Sequence, residues 1–111
     1  MTYDNIQVID AGQAQAWIAE GKAVVVDVRE ENEFLAGHIP GATLLPLSRF
    51  NPGGLPKVPE GKKLLIHCRS GQRCGMAATF LASSGYQGDI HRLSGGIIAW
   101  AQAGGAVVAG R

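Results

Sequence analysis

The sequence is short of several features that would assign it to a specialised class of protein. It contains only two cysteines, Cys68 and Cys74, at a spacing that does not suit a structural disulfide in the turn and helix predicted there. No uninterrupted apolar run approaches the length of a membrane span, and no basic region followed by an apolar stretch opens the chain. We therefore expect reduced thiols, no membrane segment and a cytoplasmic location.

Dense basic tracts and metal-ligand clusters are also missing. Lys62 and Lys63 are the only adjacent lysines or arginines, and the formal net charge is +1, so we expect no nucleic-acid partner. The three histidines and two cysteines lack the close pairs that a zinc site needs. We predict no metal and no other cofactor.

The composition that remains is that of one folded domain covering residues 1–111, which we expect to be a monomer. Hydrophobic residues make up 46% of the chain and charged residues 17%, which is too apolar for a disordered protein. Residues 1–33 hold seven acidic and two basic residues, whereas residues 34–111 hold eight basic and two acidic residues. A local positive excess without basic tracts favours a small anionic ligand over a polymer.

Short apolar runs alternate with helical patterns along the chain. Asp10 and Gln13 have the form of a capping box, and the helix that they begin is expected to end near Gly21. Strands are predicted over 23–28, 42–45, 63–67 and 90–93, and further helices over 30–36, 75–81 and 97–101. Residues 51–61 are predicted to form a surface loop. The alternation indicates an α/β fold with a mostly parallel sheet, whose ligands bind at the carboxyl ends of the strands.

The segment 64–76, LLIHCRSGQRCGM, has the strongest chemical signature. It predicts a buried strand, a polar loop and a helix, with Cys68 at the start of the loop. Backbone amides at a helix N-terminus favour anions and the thiolate form of cysteine, and Arg69 and Arg73 add positive charge. Cys68 is therefore the predicted nucleophile, and Arg69, Ser70, Gly71, Gln72 and Arg73 are the predicted substrate-binding residues.

The remaining histidines and the second cysteine receive structural interpretations. His67 precedes Cys68 on a strand, where neighbouring side chains point to opposite faces, so we do not expect it to act as the base that activates Cys68. His38 and His91 are also expected to be structural. Cys74 is interpreted as a small packing residue, with the role of a resolving thiol for Cys68 as the alternative.

Three ordered motifs point to a known family. They are Asp27-Val28-Arg29 with Glu33-Phe34 and Gly37-His38-Ile39-Pro40-Gly41-Ala42, then Cys68-Arg69-Ser70-Gly71-Gln72-Arg73, and finally Leu93-Ser94-Gly95-Gly96-Ile97 with Ala99-Trp100. This set resembles the single-domain rhodaneses, which are thiosulfate sulfurtransferases. The resemblance runs in order over nearly the whole chain.

The resemblance implies a five-stranded parallel sheet flanked by helices on both faces, with the catalytic loop after the fourth strand. It implies a persulfide intermediate on Cys68, a small anionic sulfur donor, and a thiol or cyanide as the acceptor. Arg29, His38 and Trp100 match the structural framework of the family. The stretches 46–48 and 54–56 also resemble rhodanese domains joined to membrane segments, in which case the chain would be a piece of a longer protein.

Two other functions remain open at this stage. A cysteine-dependent phosphatase or arsenate reductase would use a similar strand, loop and helix, but only four residues separate Cys68 from Arg73, one fewer than in the loop of cysteine phosphatases. No obvious general-acid loop accompanies Cys68. A non-catalytic module that carries sulfur or senses redox state would share the same reactive cysteine.

Overall fold

The computed structural model of the protein describes residues 3–110. Its strands are β1 (Ile6–Ile9), β2 (Ala23–Asp27), β3 (Thr43–Leu44), β4 (Lys63–His67) and β5 (Ile90–Leu93). Its helices are α1 (Ala11–Ala19), α2 (Glu31–Ala36), α3 (Gln72–Ser83) and α4 (Gly96–Gln102), with short 3₁₀ turns at Leu47–Arg49 and Pro52–Gly54. The predicted alternation of strands and helices is confirmed.

The strands form one parallel sheet in the order β1-β5-β4-β2-β3. β4 lies at its centre, so the residues that follow β4 emerge in the middle of the carboxyl edge. The residue patterns did not predict β1, a four-residue edge strand in which Gln7 and Val8 are exposed and no apolar run announces the strand. The five-stranded parallel sheet expected from the family resemblance is nevertheless confirmed.

Helices cover both faces of the sheet because alternate strand residues point to opposite sides. One core combines even-numbered strand residues with the inner face of α3 and includes Val26, Leu64, Ile66, Cys68, Cys74, Ala77, Ala78, Leu81 and Ile90. The other combines odd-numbered strand residues with α1 and α4 and includes Ala14, Val25, Leu65, Leu93, Ile97 and Trp100. Cys68 and Cys74 therefore belong to the same core, on the α3 side.

The helix ends follow local signals in most places. The carboxylate of Asp10 accepts a hydrogen bond from the Gln13 amide at 2.8 Å, as the sequence predicted for the start of α1. α3 begins at Gln72 rather than at the predicted residue 75, directly after Gly71, whose φ of 116° makes the turn into the helix. Within residues 3–110, none of the helices has the length and apolar character needed to cross a membrane.

Candidate active site

Cys68 follows the central strand directly and lies at the base of the loop that leads into α3. Only 1% of its surface is exposed, and it packs in the core between β4 and α3. Because β4 is hydrogen-bonded to β2 on one side and β5 on the other, elements following those strands surround the loop. Ligands of open parallel sheets bind at this edge.

The first two carbonyl groups of the loop accept hydrogen bonds from the start of α4. The Ile97 amide donates to the Cys68 carbonyl at 2.9 Å, and the Ile98 amide donates to the Arg69 carbonyl at 3.2 Å. α4 approaches so closely that a Cβ on Gly96 would lie 2.4 Å from the Arg69 carbonyl oxygen. Glycine at position 96 is therefore required for the loop and helix to meet.

The next part of the loop directs donors toward the sulfur. The Gly71 amide donates to the Cys68 Sγ at 3.1 Å. The Gly71 carbonyl accepts from the Arg92 guanidinium at 3.1 Å and from the Cys74 thiol at 3.2 Å. The Gly71 amide is thus fixed by the Cys68 sulfur, and the Gly71 carbonyl is fixed by side chains from β5 and α3.

Arg92 is a site residue that the sequence analysis missed. It lies on β5, its side chain reaches the first turn of α3, and a Cβ on Gly75 would lie 3.0 Å from one of its guanidinium nitrogens. The available signal was a charged residue in the middle of the predicted strand 90–93. A buried strand holds such a residue when its charge has a partner at the strand's end.

These contacts lower the pKa of Cys68 from 9.0 to about 5. The largest cause is a hydrogen bond from the Cys74 thiol, followed in the same direction by the backbone amides of Cys74, Gly71 and Ser70, while burial opposes them. The pKa of Cys74 is raised, because its proton bonds to the Cys68 sulfur and because it is buried. Cys68 is therefore a thiolate at neutral pH, and Cys74 remains a thiol that donates to it.

The Cys74 thiol has two acceptors within reach, the Gly71 carbonyl and the Cys68 sulfur. A charged acceptor forms the stronger hydrogen bond, so the thiolate form of Cys68 attracts the Cys74 proton. Cys74 packs in the core, as its interpretation from sequence required, and it is also a donor to the nucleophile. The second role was not apparent from sequence, because it depends on how the first turn of α3 packs against the loop.

The two arginines of the loop have different surroundings. Arg73 donates to both carboxylate oxygens of Glu33, at 2.6 and 2.9 Å, which ties α3 to α2. Arg73 is the main cause that lowers the pKa of Glu33 to about 2. Arg69 is exposed and has no ion-pair partner within residues 3–110. Of the two, Arg69 is the cation available to a ligand.

The other predicted loop residues lie around Cys68. Ser70 and Gln72 are exposed beside Arg69, and Gly71 is half-buried. The structure thus brings the predicted residues to one loop, with Arg73 directed to α2. Within residues 3–110, no group of three or more histidine, cysteine and acidic side chains is arranged to hold a metal ion.

His67 contacts the backbone carbonyl of the nucleophile rather than its sulfur. Its Nδ1 lies 3.2 Å from the Cys68 carbonyl oxygen, and its Nε2 lies 3.6 Å from a carboxylate oxygen of Asp27. Burial lowers the pKa of His67, so the ring is neutral at neutral pH. Asp27 instead pairs with Arg29, whose guanidinium also donates to the Gly37 carbonyl at 2.6 Å. This buried network fixes the end of β2 beside the loop.

Comparison with known proteins agrees with the motifs in the sequence. The family model described as the rhodanese-like domain matches residues 10–103. A sulfurtransferase of Allochromatium vinosum is 37% identical over 91% of this chain and 94% of that protein. An uncharacterised protein of Synechocystis is 51% identical over 73% of this chain, but the match covers 44% of that protein. Two proteins of Mycobacterium tuberculosis, each described as a probable adenylyltransferase/sulfurtransferase, are 38% identical over 78% of this chain, but the match covers only 22% of their length.

Solved structures share the fold. A rhodanese-related protein from Thermoplasma volcanium superposes with a TM-score of 0.77 at 31% identity, over 92% of this chain and 97% of that chain. A protein from Rhodopseudomonas palustris, described as a possible tyrosine phosphatase, superposes with a TM-score of 0.76 at 26% identity, over 93% of this chain and 85% of that chain.

Proposed function

The chain belongs to the rhodanese-like family, and on that premise we propose that it moves sulfane sulfur from thiosulfate to cyanide or a thiol through a persulfide on Cys68. The similarity to a sulfurtransferase over nearly the whole of both chains supports sulfur transfer in the broad sense. The observation that carries the specific proposal is the environment of the Cys68 sulfur. The sulfur is buried, accepts hydrogen bonds from the loop and has a pKa of about 5.

The first step is nucleophilic attack by the Cys68 thiolate on the outer sulfur of thiosulfate. A bond forms between the two sulfur atoms, the bond from the outer sulfur to the sulfonate breaks, and its electron pair leaves with sulfite. The persulfide anion that remains has the charge of the original thiolate. The amides that stabilise the thiolate are therefore suited to stabilise the persulfide as well.

The second step returns the enzyme to its starting form. Cyanide attacks the terminal sulfur, a carbon–sulfur bond forms, and the bond between the two sulfur atoms breaks. The electron pair of that bond goes to Cys68, which is again a thiolate, and thiocyanate departs. Arg69, with its exposed charge, is suited to attract both anionic substrates toward the loop.

Thiocyanate production from thiosulfate and cyanide tests this proposal. We expect Cys68→Ser to abolish turnover without unfolding the protein, because a serine hydroxyl is a poor nucleophile near neutral pH. Cys74→Ser keeps a donor of similar size and should retain most of the turnover. An active Cys68→Ser protein and an inactive Cys74→Ser protein, both folded, would show that the nucleophile is assigned incorrectly.

A cysteine-dependent phosphatase or arsenate reductase is the second candidate, favoured by the structural similarity to a possible tyrosine phosphatase. Two observations weigh against it. Four residues separate Cys68 from Arg73, and the Arg73 guanidinium is occupied by the carboxylate of Glu33. This candidate would be supported instead if the protein hydrolysed an aryl phosphate, lost that activity in Cys68→Ser and produced no thiocyanate.

A sulfur-carrier module would take up one sulfur without catalytic turnover. It would therefore produce at most one thiocyanate per protein molecule, whereas an enzyme would produce many.

We also propose that the protein acts as a monomer in the cytoplasm, where reducing conditions keep both cysteines as thiols. Size-exclusion chromatography with light scattering checks the first of these points.

A further inference from the structure

An open, largely apolar groove of about 410 Å³ borders the candidate active-site loop. α4 forms one wall, through Ile97, Ile98 and Ala101, and Val107 forms another. Arg69 and Glu33 lie at the end nearest the loop. Ile98 is 39% exposed and Val107 is 44% exposed, so the walls present apolar surface to a ligand. A volume of this size suits a small molecule.

The groove and the loop form one continuous structure. The Ile97 and Ile98 amides bind the carbonyls of Cys68 and Arg69, so the α4 wall begins where the loop begins. On the other side, Val108 exchanges backbone hydrogen bonds with His38 at 2.8 and 2.9 Å. This bridge fixes the neighbouring Val107 against α2. A ligand in the groove therefore lies next to the loop between walls that are already in place.

The charges in the groove favour an anion at the loop end. Glu33 is neutralised by Arg73, and Arg29, which also lines the groove, is neutralised by Asp27. Arg69 alone among these charged residues has no ion-pair partner within residues 3–110. The groove thus combines an uncompensated cation next to the nucleophile with an apolar channel leading away from it.

We propose that this groove binds the carbon chain of a small apolar thiol, which accepts sulfur from Cys68 as its thiolate. The inference rests on the proposed function and adds the class of acceptor. Thiosulfate and cyanide have no carbon chain to contact Ile98 and Val107, so neither uses the apolar walls. The acceptor's sulfur lies at the Arg69 end, and its hydrocarbon part lies along α4.

The transfer step balances without any further reactant. The acceptor thiol gives its proton to the terminal sulfur of the persulfide anion, the resulting thiolate attacks that sulfur, and a new sulfur–sulfur bond forms to the acceptor. The bond to Cys68 breaks, its electron pair remains on Cys68 as the thiolate, and the proton stays on the transferred sulfur. The product is a small persulfide, and the protein is ready for the next donor.

A series of thiols with one head group and increasing chain length tests the inference. With thiosulfate as the donor, kcat/KM is measured for mercaptoethanol, mercaptobutanol and mercaptohexanol, and cyanide is run in parallel. The nearby hydroxyl makes mercaptoethanol the most acidic of the three thiols, so kcat/KM is expressed per concentration of thiolate, and the remaining differences report contacts of the protein with the carbon chain. We expect kcat/KM to rise by up to about fourfold for each methylene that the groove covers.

Variants locate the effect. Ile98→Ser and, independently, Val107→Ser should reduce the ratio of kcat/KM for the longest and shortest thiols toward one. Val8→Ser is the matched control, because Val8 is 60% exposed on the edge strand β1 and does not line the groove, so the ratio should be unchanged. Two groove positions are used so that misfolding of one variant does not decide the result.

The outcomes separate this inference from the proposed function. Active transfer to cyanide with no dependence on thiol chain length would overturn the groove as an acceptor site and leave the proposed function intact. A chain-length effect that survives both groove substitutions would also overturn it. If thiosulfate gives neither a persulfide nor thiocyanate, the proposed function and this inference fail together.

Discussion

The Cys68 sulfur differs from an ordinary buried thiol in the donors that surround it. Burial alone raises the pKa of a cysteine, because it disfavours the charged form. At Cys68 the Cys74 thiol and the amides of the loop outweigh that effect and bring the pKa to about 5. A thiolate that is both buried and stabilised in this way remains nucleophilic at neutral pH while the protein restricts access to it.

Removing the donor at position 74 should weaken the thiolate. Cys74→Ala deletes the thiol proton, and we expect the pKa of Cys68 to rise by at least about one unit, because this donor is the largest cause of the lowered pKa. Cys74→Ser keeps a donor and should change the pKa less. The rate of alkylation by iodoacetamide, measured against pH in the wild type and in both variants, gives the pKa of Cys68 in each protein. An identical pH profile in the alanine variant would show that Cys74 only fills space.

The exposed charge of Arg69 should act on thiosulfate through long-range attraction and one contact. We expect Arg69→Ala to lower kcat/KM for thiosulfate by about tenfold at low ionic strength, with a smaller loss at high salt because exposed charges are screened. Lys57→Ala is the control, since Lys57 is exposed in the loop before β4, at the other end of that strand. If the two substitutions lowered kcat/KM equally, the overall charge of the protein would account for the loss, and a specific contact between Arg69 and thiosulfate would be contradicted.

Among the elements, β4, α3 and α4 together set the geometry of the loop. The strand fixes where the loop starts, α4 binds its first two carbonyls, and the first turn of α3 supplies donors to the sulfur. Each of these elements was predicted at the sequence level. The contacts between α4 and the loop were not, because the Gly95-Gly96 pair lies more than twenty positions beyond Cys68 and its partners are backbone atoms.

The close approach of α4 makes Gly96 a position where even one methyl group should matter. Gly96 has a φ of 60°, and a Cβ there would collide with the Arg69 and Cys68 carbonyls. Gly21 is a matched control, since its φ is 69° and a Cβ would meet nothing within 4 Å. We expect Gly96→Ala to reduce kcat by at least about tenfold and Gly21→Ala to cost only stability, about 1 kcal/mol. Thiocyanate kinetics and urea unfolding separate the two effects.

The sequence predicted the central strands better than the edges. β4 and β5 have the predicted bounds because most of their residues are buried on both faces of the sheet. β1 gave no such signal, and the first turn of α3, Gln72 to Cys74, is too polar to resemble a buried helix. Within the site, the role of Cys68 as the nucleophile stays a prediction. Cys74, which donates to Cys68, and Arg92, which donates to the Gly71 carbonyl, were recognisable as site residues only after the fold placed α3 and β5 beside the loop.

At the scale of the whole molecule, folding joins the acidic beginning of the chain to its basic remainder. Glu33 and Arg73 are forty residues apart in sequence and form a two-pronged ion pair between α2 and α3. A second pair, Asp27 with Arg29, lies within the acidic part itself and belongs to the buried network beside the loop. The unpaired positive charge that remains near the site comes from the basic part of the chain, which agrees with a ligand that is a small anion.

The Glu33–Arg73 pair should contribute to stability in a defined pH range. The pKa of Glu33 is about 2 in the folded protein, below its ordinary value of 4.5, so its contribution is present above about pH 4.5 and is lost as the pH falls toward 2. Glu33→Gln should therefore lower the urea midpoint at neutral pH and have a smaller effect near pH 2. Glu60→Gln, at an exposed loop position, should change little at either pH.

The central claim is that Cys68 takes one sulfur atom from thiosulfate and releases it to an acceptor. Intact mass spectrometry of the protein incubated with thiosulfate measures this directly. We predict that the wild-type and Cys74→Ser proteins gain the mass of one sulfur, that Cys68→Ser gains none, and that cyanide restores the original mass. An unchanged wild-type mass, or a gain that persists in Cys68→Ser, would contradict the account.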